Sequence, residues 1–350
     1  MLPALALLLG AALAQPPAGA DAAEWKASEQ KYLTNIRAVT TGFVRAGEGY
    51  FSPDGKRIIF QAEEAGTGNP FYQIFVMDLA TGSFRRVSPG RGRTTCGYFR
   101  PDGQKIIFAS SHADPKALEV QAAETQQRAE DAKAGTRRRY SWDFDPQMKI
   151  YESNPDGTAL ACLTPDATAY TAEGSYSNDG KQIVYSSGRA GDVQISVMNA
   201  DGTGSRRVTN APNCYNGGPF FSPDASKIVF RADRQEKDRL QLYVVNADGG
   251  GEKQLTNDPK WVYWAPFWHP DGRHLIYTAA DHSDEKSRPN YDLFWMNVGT
   301  GAATQLTFAP GQDVLPVFSP DGKRVLWTSS RDGRSPTQLY VADFQAPAGE

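Results

Sequence analysis

Phe51-Ser-Pro-Asp-Gly-Lys-Arg-Ile-Ile-Phe60 is a complete hairpin written in ten residues, and the chain repeats it. An aromatic ends one strand, Pro presets φ at the turn, Gly accepts a positive φ, and a β-branched strand follows. Two further copies are Phe99-Arg-Pro-Asp-Gly-Gln-Lys-Ile-Ile-Phe108 and Tyr176-Ser-Asn-Asp-Gly-Lys-Gln-Ile-Val-Tyr185. Three more are Phe221-Ser-Pro-Asp-Ala-Ser-Lys-Ile-Val-Phe230, Trp268-His-Pro-Asp-Gly-Arg-His-Leu-Ile-Tyr277 and Phe318-Ser-Pro-Asp-Gly-Lys-Arg-Val-Leu-Trp327. Their aspartates, Asp54, Asp102, Asp179, Asp224, Asp271 and Asp321, lie 48, 77, 45, 47 and 50 residues apart, so the second unit carries an insertion.

A second hairpin follows within the unit, as in Gln194–Gly202 leading to Arg206–Thr209, or Gln241–Gly249 leading to Gln254–Thr256. Each unit is therefore a four-stranded meander, named A to D from the axis outward. Four-stranded sheets repeated every 40–50 residues or so, with no helix between them, predict an all-β fold, a six-bladed β-propeller. The last unit stops after its third strand, Gln338–Phe344, while Asn35–Thr40 is similar to Ser205–Thr209 and precedes the first A strand. The N-terminal strand is thus expected to complete the last blade, which removes two open sheet edges. The expected layout is a signal at 1–14, a linker at 15–33, a propeller at 34–344 with a helical insertion at about 113–145, and a tail at 345–350.

The repeated Ser-Pro-Asp-Gly and Gln-Leu-Thr signatures, spread over Thr34 to Phe344, resemble those of the TolB-like six-bladed propellers, also described as WD40-like Pro-Asp repeat proteins. The resemblance implies the fold and an exported, periplasmic scaffold. Residues 15–33 are too few for the separate N-terminal domain that precedes the propeller in TolB itself, so that domain is expected to be lacking.

Composition narrows the function. The 350 residues carry 37 Lys+Arg against 40 Asp+Glu, a net charge of −3, and 40% are hydrophobic. Disorder is excluded by the apolar content, and nucleic acid is not expected as a partner because phosphate neutralisation needs a basic excess. Ala4–Leu13 is an apolar run, and Ala12-Leu13-Ala14 is a small-x-small cleavage pattern, so a signal peptide and a periplasmic or secreted product are expected. No later stretch approaches the ~20 apolar residues of a membrane span. Cys96, Cys162 and Cys214 are odd in number and lack Cys-x-x-Cys spacing, which speaks against a disulfide framework or a zinc site.

If the A strands line the channel, the Pro-Asp-Gly turns share one face and the B–C and D–A loops the other, here called the top. Stepping back three places from each A-strand terminal aromatic gives Glu48, Cys96, Glu173, Gly218, Ala265 and Leu315, one per blade. One place further back stands Trp264, and one more brings Asn216, Tyr263 and Asp313. The B-strand ends add Gln61, His112, Arg231, Asp281, His282 and Arg331. Three readings are open for Glu48 and Glu173: acid and base on a glycosidic bond, Ca²⁺ ligands together with Asp313, or carboxylates paired with channel arginines. No Gly-x-Ser-x-Gly, His-Glu-x-x-His or P-loop occurs, and the expected protein is non-catalytic and without a cofactor.

The insertion reads as a helix, with Asp114 as N-cap, Pro115 next, Ala117 to Ala134 rich in Ala, Glu and Gln, and Gly135 as C-cap. Arg137, Arg138 and Trp142 follow it, and Tyr263 and Trp264 share the same face. Arg with Trp and Tyr builds hot spots. The expected function is binding of a protein, peptide or glycan of the cell envelope through this face by Arg137, Arg138, Trp142, Tyr263, Trp264, Asn216, His112, Arg231 and Arg331. The alternative is a channel-mouth glycan hydrolase or lyase using Glu48 and Glu173.

Overall fold

Every repeat unit opens a four-stranded antiparallel sheet in a computed structural model of the protein, which describes residues 22–136, 144–165, 168–284, 286–331 and 336–347. The A strands are Arg45–Phe51, Thr94–Phe99, Tyr170–Tyr176, Asn216–Phe221, Trp261–Trp268 and Asp313–Phe318. Each pairs with its own B strand and packs against the neighbouring blade, so the six sheets form a ring. Residues 1–14, expected as a signal, and the site candidates Arg137, Arg138 and Trp142 lie outside the described residues.

The repeated turn is held by one side-chain pair. Ser52 Oγ donates to Asp54 Oδ1 at 2.5 Å and accepts from the Arg57 amide, while Asp54 Oδ1 accepts from the Lys56 amide. The same Ser–Asp clasp recurs at Ser177–Asp179, Ser222–Asp224 and Ser319–Asp321. A Ser and an Asp two residues apart thus satisfy the turn amides that the hairpin leaves unpaired.

Closure follows the sequence reading. Leu33–Ala38 pairs antiparallel with Gln338–Phe344, with Leu33 opposite Phe344 and Ala38 opposite Tyr340. The strand begins earlier than expected because Leu33 is wholly buried in the core of the last blade beside Trp327 and Phe318. Residues 15–33, expected as a linker, contain a helix, Ala22–Glu29. It is held by Glu29, whose Oε1 accepts from the Phe308 and Ala309 amides at 2.9 and 3.2 Å.

The insertion helix is Ala117–Ala134 and leaves between the B and C strands of the second blade. The residue at the cap position is Lys116 rather than Asp114, and Asp114 Oδ1 accepts from the Lys116 amide just ahead of the helix. Gly135 ends the helix in the left-handed conformation at φ 65°, as a C-terminal Gly should. The helix lies toward the first blade. Arg128 donates to both oxygens of Glu63 at 3.0 and 3.1 Å and to the Pro70 carbonyl at 2.8 Å, and Gln121 Oε1 accepts from the Gly92 amide at 2.7 Å.

Candidate functional site in the channel

All six A strands break register at the same place. Glu48, Cys96, Glu173, Gly218, Ala265 and Leu315 have φ between 40° and 57°, and each sits in a β-bulge. A bulge leaves an amide outside the ladder, and the preceding blade takes it: Glu48 N–H donates to Thr328 Oγ1 at 3.0 Å and Leu315 N–H to Thr278 Oγ1 at 3.1 Å. The residue after each bulge is Gly in the first three blades (Gly49, Gly97, Gly174) and Pro in the last three (Pro219, Pro266, Pro316). A Cβ at Gly97 would meet Ile59 and Ile74 of the neighbouring blade at 3.0 Å, so blade packing itself demands glycine there. Left-handed backbone costs a side-chain-bearing residue roughly 1–2 kcal/mol, which the surrounding ring imposes.

Next toward the turn face comes a plug of rings. Tyr50 lies 5.0 Å from Tyr98, 5.7 Å from Phe220 and 6.2 Å from Phe267, and Phe220 lies 5.0 Å from Phe267. Tyr50 and Phe220 come from blades opposite each other in the ring, so these rings meet across the axis and close the channel toward the turn face. Sequence reasoning missed them. Their signal was the aromatic residue that stands immediately before the terminal aromatic in four of the six A strands.

Above the plug is a buried polar cluster. Glu173 Oε1 accepts from Tyr215 Oη at 2.7 Å and Arg231 Nη2 at 2.9 Å, and its Oε2 accepts from Ser186 Oγ at 2.6 Å and the Gly218 amide at 2.8 Å. Four donors occupy the four acceptor positions of this carboxylate. Arg231 Nη2 also donates to Tyr215 Oη at 2.8 Å, and its guanidinium lies 6.0 Å from the Trp264 ring. Gly217 and Gly218 make this crowding feasible, since a Cβ on Gly218 would strike Arg231 and one on Gly217 would strike Tyr215 and Glu173. Tyr215, which sequence reasoning also missed, precedes the bulge position Gly218 by three.

Glu48 is treated differently. It accepts from Tyr50 Oη at a long 3.2 Å and from the Cys96 thiol, and among the described residues no cation forms an ion pair with it, Arg231 acting on it only through space. Burial raises its pKa above the ordinary 4.5; the Cys96 hydrogen bond opposes this, and the nearby Glu173 charge adds to it. Burial and the same two carboxylates push the Cys96 thiol well up. A thiol so placed is a weak hydrogen-bond donor and a poor nucleophile.

The structure therefore brings together Glu48, Cys96, Glu173, Arg231 and Trp264, and commits several of the other described candidates elsewhere. Arg331 and Asp313 are corrected as mouth residues. Arg331 bridges Asp313 and Glu29 through Nη1–Glu29 Oε2 at 3.1 Å and Nη2–Asp313 Oδ2 at 2.8 Å, with Asp313 Oδ1 also accepting from Trp327 Nε1. With Asp313 so committed, the Ca²⁺ set it was to form with Glu48 and Glu173 does not assemble, and no group of three or more His, Cys, Asp or Glu is placed to hold a metal ion among the described residues. Tyr263 is corrected too: it is buried among Leu242, Tyr277 and Phe294, between blades rather than on the mouth. Asn216 is fully buried, donating to the Val193 carbonyl and accepting from Arg234. His112 packs at 4.4 Å on Tyr151 and bonds Ser110, within its own blade.

No protein-family model matches the chain. It is 26% identical over 237 residues to dipeptidyl-peptidase 5 of Porphyromonas endodontalis, covering 55% of this chain and 34% of that protein. It is 30% identical over 204 residues to the Tol-Pal system protein TolB of Francisella tularensis subsp. mediasiatica, covering 57% of this chain and 45% of that one. The putative TolB structure from Agrobacterium tumefaciens superposes with a TM-score of 0.61 at 20% identity, over 90% of this chain and 98% of that one. The chain is a six-bladed β-propeller similar to that of TolB. It spans less than half the length of the curated relatives it matches. The fold is also that of an oligogalacturonate lyase from Vibrio parahaemolyticus, with a TM-score of 0.54 at 15% identity, over 88% of this chain and 93% of that one.

Proposed function

We propose that this TolB-like propeller is an exported, non-catalytic protein that binds a protein partner of the cell envelope through its loop-rich top face and channel mouth. The observation that carries the reading is Glu173: all four of its acceptor positions are filled by protein donors, so it holds Arg231 and Tyr215 in place and has no lone pair left to take a substrate proton. Relatives described as Tol-Pal system proteins support the envelope setting. No described helix is long and apolar enough to cross a membrane. The top face carries the irregular segments, where a rigid scaffold concentrates binding groups.

The alternative, a glycan hydrolase or lyase on Glu48 and Glu173, draws on a fold shared with oligogalacturonate lyase. It needs Glu173 to give up its bonds to Arg231 and Ser186 during turnover. Activity on an oligouronide that disappears in Glu173→Gln would establish it over the binding reading.

The binding reading is tested by placing a photo-crosslinking residue at Leu118, exposed on the insertion helix, and separately at Asp271, on the turn face, in cells that export the protein. An envelope protein should be captured from position 118 and not from 271, and capture should fall in Trp264→Ala, Arg138→Ala and Trp142→Ala. Equal capture from both faces, or capture indifferent to all three substitutions, refutes a top-face partner.

A further inference from the structure

We infer that the polar cluster above the aromatic plug is a receptor for a lysine side chain presented by a polypeptide, with the ammonium on Glu48 and the peptide's own carbonyl oxygens on Trp264 and Arg231. The inference rests on the partner-binding reading above and names the chemistry of the contact.

Three observations define the occupant. Charge comes first: Arg231 pairs through Nη2 with Glu173 and reaches Glu48 only through space, so among the described residues Glu48 is the carboxylate of the cluster without an ion pair, and its residue is more than nine-tenths buried with only a phenol and a thiol as side-chain donors. A buried carboxylate without a positive partner is satisfied by an incoming ammonium, which supplies three donors. The second is a pair of idle donors. Trp264 Nε1 is buried with no acceptor among the described residues, and Arg231 spends only Nη2, leaving Nε and Nη1 with no hydrogen bond among them. These groups call for an oxygen, which a peptide carries and a simple polyamine does not. The third is shape. At the level of Glu48, Cys96 and Glu173, the last two blades contribute only Ala265 and Leu315, and Leu315 is partly exposed. One wall is therefore polar and the opposite wall aliphatic, which matches a charged tip on a four-carbon stem.

The experiment titrates the intact protein with acetyl-Gly-Gly-Lys-Gly-Gly-amide, its norleucine counterpart and 1,5-diaminopentane, read by calorimetry and Trp fluorescence. The lysine peptide should bind saturably at millimolar or lower concentration, and the norleucine peptide and the diamine about tenfold more weakly or worse. Glu48→Gln should cost the lysine peptide about tenfold or more, and Trp264→Phe, which keeps the ring and removes the N–H, about threefold. Glu48→Gly, whose residue suits the left-handed backbone at φ 40°, should fold and show the same loss if Glu48→Gln folds poorly. A diamine that binds as well as the peptide overturns the polypeptide assignment. No binding of the lysine peptide, or full affinity in both Glu48 variants, overturns the site altogether. If the peptide fails while position 118 still captures an envelope protein, the lysine inference falls and the partner-binding reading stands.

Discussion

Two buried clusters in this propeller have the same formal composition, two carboxylates and one arginine, and opposite states of completion. In the first, Arg331 lies between Glu29 and Asp313 and bonds both, while Phe308, Ala309 and Trp327 supply the remaining donors. In the second, Arg231 bonds only one of the two carboxylates, Glu173, and Glu48 is left with a phenol, a thiol and no ion pair among the described residues. The first ties the N-terminal helix to the ring. The second holds unspent hydrogen-bonding capacity on the axis, which is what a binding site requires and a structural tie does not. The lesson is that burial and charge count do not separate structure from function here, whereas the satisfaction of each donor and acceptor does.

The widest separation between the clusters should be seen in stability. Arg331→Ala leaves two buried carboxylates unpaired and should cost about 3–5 kcal/mol in denaturant unfolding, the range for breaking a buried pair by removing one partner. Arg231→Ala should cost about 1–3 kcal/mol, since three other donors stay on Glu173. Equal losses in the two variants would break the distinction.

Closure should rank next to the first cluster. Leu33→Ala removes a fully buried side chain from the joining strand and should cost about 2–5 kcal/mol. A loss as small as that of a surface substitution would mean that the first strand does not bear on the ring.

The smallest effect is the most diagnostic. Because burial raises the Glu48 pKa, the fold favours its neutral form; the stability this contributes is fully present below the ordinary glutamate value and is lost as pH rises through the raised folded value. Glu48→Gln should therefore match the wild type in acid and exceed it in melting temperature at neutral pH, by a few degrees at most. A constant difference across pH 4 to 8 would show that Glu48 stays in one protonation state, and would sharpen the contrast with the saturated Arg331 cluster.

How much of this was legible beforehand differs between fold and site. The hairpin repeat, the insertion helix and the joining strand are local signals: Pro and Gly fix φ at the turn, alternating β-branched residues fix the strands, and these act over a few residues. The level occupied by Glu48, Cys96 and Glu173 was also legible, because aligning six copies of one strand superposes their bulges without knowing that they are bulges. The Gly or Pro after each bulge was in the sequence as well, and its meaning came only with the neighbouring blade packed against it.

The sequence by itself determined the number of blades, the turn chemistry and the residues that share a level of the channel, since each follows from short-range backbone preferences repeated along the chain. Tertiary structure alone decided which charges meet. Glu29 finds Arg331 across 302 positions and Glu173 finds Arg231 across 58, because ring closure and the left-handed bulges, and not spacing, set where those side chains point. The same geometry gave Arg331 to two carboxylates and Arg231 to one, leaving Glu48 without an ion pair among the described residues.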